Sequence, residues 1–262
     1  MLKNHMYNLP HLIFLSLFLL ALIVQSAIIA KKRPSEKAKK IYTSILSVII
    51  IIGVVLTRVS TTMHNTRYNI NNYKWYYFIP DTWCSLNGIV YALNILVFKR
   101  NQKMLSFTAF LGFLGGIMAI FFPNFLSTMS FFDIRALPSM IYHACMILLS
   151  LYLVESKDFI PTIKNAPYFA LGMIICMIIG SFEKRIMHMP CPMQLDQPFF
   201  DKTPFLYHLT SWYTVILGEF IFVSITCLIF DYHNSKNKIH EELDNNQKEF
   251  ENKDLTINKT ID

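Results

Sequence analysis

The sequence predicts an all-α fold: a polytopic membrane helix bundle of about seven transmembrane helices. Three observations carry this. Hydrophobic residues fill 53% of the 262 positions. Charged residues fill only 16%, where a soluble domain carries about 25%. The charges also gather in short runs, and the apolar stretches between them are roughly 17–25 residues long, the length of a bilayer crossing. Spans are expected near 11–30, 41–58, 82–98, 104–122, 137–155, 167–182 and 206–231. No internal repeat is visible. The expected division is one transmembrane domain over 1–231 and a polar, largely disordered cytoplasmic tail over 232–262.

The first stretch, His11 to Ala30, is long enough to span and is followed at once by Lys31-Lys32-Arg33. That is a stop-transfer pattern rather than a small-residue cleavage site, so the segment reads as a retained helix. With the N-terminus outside, sixteen Lys and Arg fall on the inner side and eight on the outer, which predicts an N-out/C-in orientation. The outer loop from Ser60 to Pro80 is rich in Asn and Tyr and closes on Trp75, Tyr76 and Tyr77, as an interfacial aromatic belt does. Pro80 stops any preceding structure, and Asp81 or Thr82 caps the third helix. In the fourth span Gly112 and Gly116, with Gly115 beside them, let helices approach closely. The sixth span is the shortest and ends at Phe182-Glu183-Lys184-Arg185. A Pro-rich outer loop follows, holding His188-Met189-Pro190-Cys191.

The net charge of +7 does not mark a nucleic-acid binder, because the basic residues lie beside membrane segments as topology signals do. Five cysteines without paired spacing give no disulfide framework. Cys145, Cys176 and Cys227, inside apolar segments, read as small apolar fillers. No cofactor is implied. A metal site from Cys84, His143, His188 and Cys191 is the weakest reading, since no second motif supports His188-x-x-Cys191.

The chemistry centres on Cys84. It falls in the first turn of the third helix, where backbone N–H groups favour a thiolate. Asp81 is either a plain N-cap or a charge opposing that thiolate. Asn87, Tyr91 and Asn94 follow at helical spacing and draw a polar stripe on one face. It serves either interhelical hydrogen bonding or binding. His143 lies on one face of the fifth span with Ser139 and Ser150, and an ionisable residue inside a span is a functional candidate against the alternative of a satisfied structural histidine. In the N-out topology Cys84 and His143 differ in depth by roughly 6 Å at about 1.5 Å per residue, a gap that side chains and tilt close. In the seventh span His208 and Glu219 share a face, and Glu219 near mid-membrane is expensive unless paired or protonated. Arg58 and Arg135 are interfacial, as topology anchors or as lipid-phosphate binders.

At these residues the chain resembles the bacterial YwaF-type integral membrane family, itself related to a eukaryotic multi-pass phospholipid acyltransferase. The matching features are Pro80 with Cys84 four positions on, then Phe110, Gly112, Gly115, Ala119, Pro123, Phe131, Phe132 and His143. Thr82 stands where that family usually carries His, and Met187-His188-Met189 where it usually carries an Asn-Tyr motif. The resemblance implies a bacterial cytoplasmic-membrane enzyme acting on a membrane phospholipid or other acyl lipid. Cys84 would be the nucleophile and His143 the general base, then acid. Asn87 is the nearest oxyanion donor. The competing expectation is a non-enzymatic transporter or lipid-binding protein, with Glu219 and the polar stripe lining a path.

Overall fold

A bilayer core offers no hydrogen bonds to the backbone, so apolar stretches satisfy their own as helices. The computed structural model of the chain describes residues 7–32, 34–68, 75–123, 126, 129–189, 193 and 214–236. Among them are seven α-helices and no strand: α1 Leu9–Lys31, α2 Glu36–Tyr68, α3 Trp83–Leu96, α4 Gln102–Phe121, α5 Ala136–Glu155, α6 Ala166–Ile186 and α7 Thr214–Lys236. Six are long and apolar enough to cross a membrane. The expected polytopic bundle is therefore the fold.

Side-chain caps set several helix starts. Asn8 accepts a bond from His11 N at 3.1 Å before α1. Asn101 accepts from Lys103 N at 3.0 Å and Met104 N at 3.3 Å before α4. Thr82 and Ser85 form a reciprocal capping box before α3.

The centre of the bundle is α5, with 67% of its span buried against 17% for α1 and 11% for α7. It packs most extensively on α2 and α4. Between those two lies α3, while α6 lies on α4 and α1 on α5. Polar bonds tie α1 in place. Gln25 Nε2 donates to Leu148 O at 3.2 Å, and Gln25 Oε1 accepts from the Tyr42 hydroxyl at 2.7 Å. At the expected inner end, Asp158 gathers Lys39 at 3.1 Å, Arg100, and the Gln102 amide through its carbonyl at 2.8 Å. One carboxylate thus joins α2, the α3–α4 turn and the α5–α6 connection.

Helix boundaries depart from the hydropathy pattern in an informative way. α2 does not stop near 58 but runs to Tyr68, so the expected outer loop begins as helix. Hydropathy ends at Arg58, but Thr57, Thr61 and Thr62 bond the carbonyls four residues back at 2.8–2.9 Å and sit within the helix. α6 likewise continues through Glu183, Lys184 and Arg185 to Ile186. α7 extends to Lys236, five residues past the expected tail boundary. In contrast α3 is short. Its 14 residues reach only about 21 Å at about 1.5 Å per residue, less than the roughly 30 Å hydrocarbon core. The third element therefore does not cross by itself; the chain enters through the 3-10 turn Trp75–Phe78 and an extended lead-in.

Close helix contact depends on glycines in α2 and α4. At Gly53 an added Cβ would fall 2.7 Å from Tyr142 Cβ and 3.2 Å from the Pro138 carbonyl oxygen, both held by the backbone of α5. Gly53→Ala is expected to destabilise the protein by about 1–3 kcal/mol through overpacking, read as a lowered melting temperature in detergent.

Candidate functional site

Where α2, α3, α4, α5 and α7 meet, a cavity of about 380 Å³ opens. Cys84, Ser139, His143 and Glu219 all line it. Two of the sequence-predicted groups, the thiol and the imidazole, thus border one space despite lying 59 residues apart.

The position of Cys84 is set by the start of α3. Thr82, not Asp81, is the cap: its Oγ1 accepts from Ser85 N at 3.3 Å, and Ser85 Oγ accepts from Thr82 N at 3.3 Å. The first intrahelical bond runs from Leu86 N to Thr82 O at 3.0 Å. The N–H of Cys84 itself precedes that bond and belongs to the first turn, whose donors have no intrahelical acceptor. Asp81 forms an ion pair with Arg58 of α2 instead, so a counter-charge meets the carboxylate next to the thiol. The Asp81 carbonyl also accepts from Met193 N at 2.7 Å, which ties Met193 to this turn.

Cys84 is half-buried against α4. An added Cβ at Gly115 would meet Cys84 Sγ at 2.8 Å and, beyond its own helix, no other atom of the described residues within 4 Å. Its neighbours do a different job. A Cβ at Gly112 would meet the Tyr91 ring at 3.1 Å, and one at Gly116 would meet Ile147 Cγ1 at 2.6 Å and the His143 carbonyl oxygen at 3.1 Å. Gly112 and Gly116 therefore let helices touch, while Gly115 makes room for the sulfur.

His143 is 4% exposed. Its Nδ1 lies 2.7 Å from the Ser139 carbonyl oxygen one turn back. A carbonyl only accepts, so Nδ1 carries the proton and Nε2 is the basic nitrogen. The Ser139 hydroxyl lies 3.4 Å from the same Nδ1. Tyr142, also lining the cavity, stacks on the imidazole with centroids 4.1 Å apart.

The polar stripe on α3 stays outside this cavity. Asn87 Nδ2 donates to Thr108 O at 3.1 Å, and Tyr91 OH pairs with Ser150 Oγ at 3.1 Å. Asn94 accepts from Asn101 N at 2.9 Å and closes the α3–α4 turn. These three make interhelical or turn bonds, and the Asn87 amide donor is taken. Asn87 thus contributes packing polarity rather than an oxyanion donor in this arrangement. His208 and Cys191 lie outside the described residues. Among the described residues, no group of three or more His, Cys, Asp or Glu is placed to hold a metal ion.

The two interfacial arginines both line the cavity. Arg135 is held by Asp133 in two bonds, 2.8 Å from Nε and 2.7 Å from Nη2. That guanidinium draws the Asp133 carboxyl down from 3.8 to about 2. Sequence reasoning missed Gly115, Tyr142 and Trp83 as lining residues. Only Gly115 left a signal, as a third glycine beside a small-residue pair. It also missed Glu183, 1% exposed, with neither carboxyl oxygen hydrogen-bonded among the described residues.

A family model described as the TMEM164 family matches residues 6–231. No curated protein and no solved structure matches the chain.

Two outcomes are expected. Gly115→Ala displaces the sulfur and changes the accessibility of Cys84, read as a rate of alkylation by a water-soluble iodoacetamide lower than that of wild type. The Asp133–Arg135 pair has a depressed carboxyl pKa, so its contribution to stability is complete above about pH 4 and is lost only as pH falls toward about 2. Comparing acid unfolding of wild type and Asp133→Asn checks this: their stability difference is constant from pH 7 to about 4 and shrinks below.

Proposed function

The chain belongs to the TMEM164 family of transmembrane proteins, and from that premise we propose a membrane enzyme that transfers or hydrolyses fatty-acyl groups through Cys84 and His143. The observation that carries this reading is the shared cavity with its oriented imidazole. A nucleophile, a base and a group that fixes the base's tautomer recur wherever a weak nucleophile is activated.

In this reading, Cys84 gives its proton to His143 Nε2 as the sulfur attacks an ester carbonyl. The C–O bond breaks, and the leaving alkoxide takes the proton back from His143. The thioester then passes its chain to an alcohol or to water. The N–H of Cys84, in the first turn of α3, is the oxyanion donor by position. Val54, Leu111, Met118, Ala119 and Phe122 give the cavity apolar walls, which accommodate an acyl chain and keep water from the thioester. The substrate is a membrane phospholipid or other acyl lipid, and the setting the cytoplasmic membrane of a bacterium.

A second reading is a transporter or lipid-binding protein built on Glu219. It is favoured by one observation: Glu219 Oε2 is buried without a hydrogen-bond partner among the described residues. Under that reading Cys84→Ser leaves function intact while Glu219→Gln impairs it.

Covalent labelling separates the two. Detergent-solubilised protein incubated with an alkyne-tagged diacyl phospholipid is expected to carry a hydroxylamine-sensitive adduct on the Cys84 peptide. Cys84→Ser carries none, and His143→Gln forms it about 10²–10⁴-fold more slowly. Folded wild-type protein without an adduct across several head groups sinks the enzymatic reading.

A further inference from the structure

Glu219 is a cavity carboxyl that the acylation chemistry above does not use. The other lining carboxylate, Asp81, is in an ion pair with Arg58. Glu219 is in no ion pair among the described residues, and its Oε2 is buried with no hydrogen-bond partner. It is the single lining residue from α7, so it approaches from a different helix than His143. Its carboxyl and the Cys84 thiol border the same cavity.

A carboxyl group in an apolar setting costs free energy unless it is paired, protonated or given a hydrogen-bond donor. Among the described residues no donor reaches Oε2, so a ligand carrying a hydroxyl fits the need. The charge order of the reaction fits as well. An ionised Glu219 and a Cys84 thiolate repel each other across the same small space. Once the sulfur is a neutral thioester, that repulsion is gone and the carboxylate is free to act as a base.

We infer that Glu219 is the acceptor-side catalytic residue. Its carboxylate receives the hydroxyl of the incoming alcohol and takes its proton as that oxygen attacks the thioester carbonyl carbon. The new C–O ester bond forms, the C–S bond breaks, and the departing Cys84 thiolate is reprotonated from Glu219. The two half-reactions then use different bases, His143 for acylation and Glu219 for transfer. The acceptor class is a lipid alcohol such as a lysophospholipid. This inference rests on the acyl-transfer reading.

The test uses the full chain in detergent as wild type, Glu219→Gln and Glu219→Asp, with an alkyne-tagged diacyl phospholipid as donor and a lysophospholipid as acceptor. Glutamine keeps the shape and a hydrogen-bond acceptor but takes no proton. Glu219→Gln is expected to accumulate the Cys84 adduct to at least the wild-type level while transfer to the acceptor falls about tenfold or more. Hydroxylamine, which needs no base, discharges the adduct at the same rate in both proteins. Glu219→Asp recovers part of the transfer. Wild-type transfer by Glu219→Gln overturns the inference, and so does loss of its adduct where wild type retains one. No adduct on wild-type Cys84 instead brings down the acyl-transfer reading itself.

Discussion

Much of the structure follows from one constraint: α3 is too short to cross a bilayer, yet it starts inside the bundle. A helix start carries unsatisfied N–H groups, and within a membrane each needs an internal partner. The Thr82–Ser85 box gives the N–H groups of Thr82 and Ser85 their partners, and the Arg58–Asp81 ion pair separately pins the lead-in to α2. At the other end Asn94 closes the turn into α4 through Asn101. The cavity lies beside this start, bordered also by α2, α4, α5 and α7.

Glycines on α4 divide the labour of packing. Gly112 and Gly116 bring the α4 backbone against Tyr91 and Ile147, where a side chain would collide. Gly115 stands between them in sequence and faces the sulfur. Because a helix turns by about 100° per residue, Gly115 and Gly116 present different faces. One helix thereby packs tightly against α5 and leaves clearance for a reactive group on α3.

Polar residues on α3 sort in the same way. Asn87, Tyr91 and Asn94 face Thr108, Ser150 and Asn101 and bind the bundle together. Cys84 sits at the end of the same helix but opens onto the cavity. The distinction between structural and chemically available polar groups is made by partners, not by spacing. The Asn87 amide nitrogen and the Tyr91 hydroxyl have theirs on neighbouring helices and lie outside the cavity, whereas Glu219 lines it and its Oε2 has none among the described residues.

The amino-acid sequence by itself determined the helical, multi-pass character of the protein. Hydropathy over roughly 20-residue windows reports directly on the cost of exposing polar groups to lipid. It also singled out Cys84, His143 and Glu219, because polar or ionisable groups stand out in apolar segments. What only the tertiary structure decided is which of these meet. Position along the helices puts Cys84 and His143 at similar depths, but helix rotation and packing order bring them to one cavity. The partner of Asp81 was hidden because ion pairing is a contact across 23 residues, not a local pattern. The length of α2 and α6 was hidden for a related reason: hydropathy marks where lipid ends, while helices continue as long as their hydrogen bonds and neighbours support them. Gly115 was legible only as a small residue, since the atom it makes room for belongs to another helix.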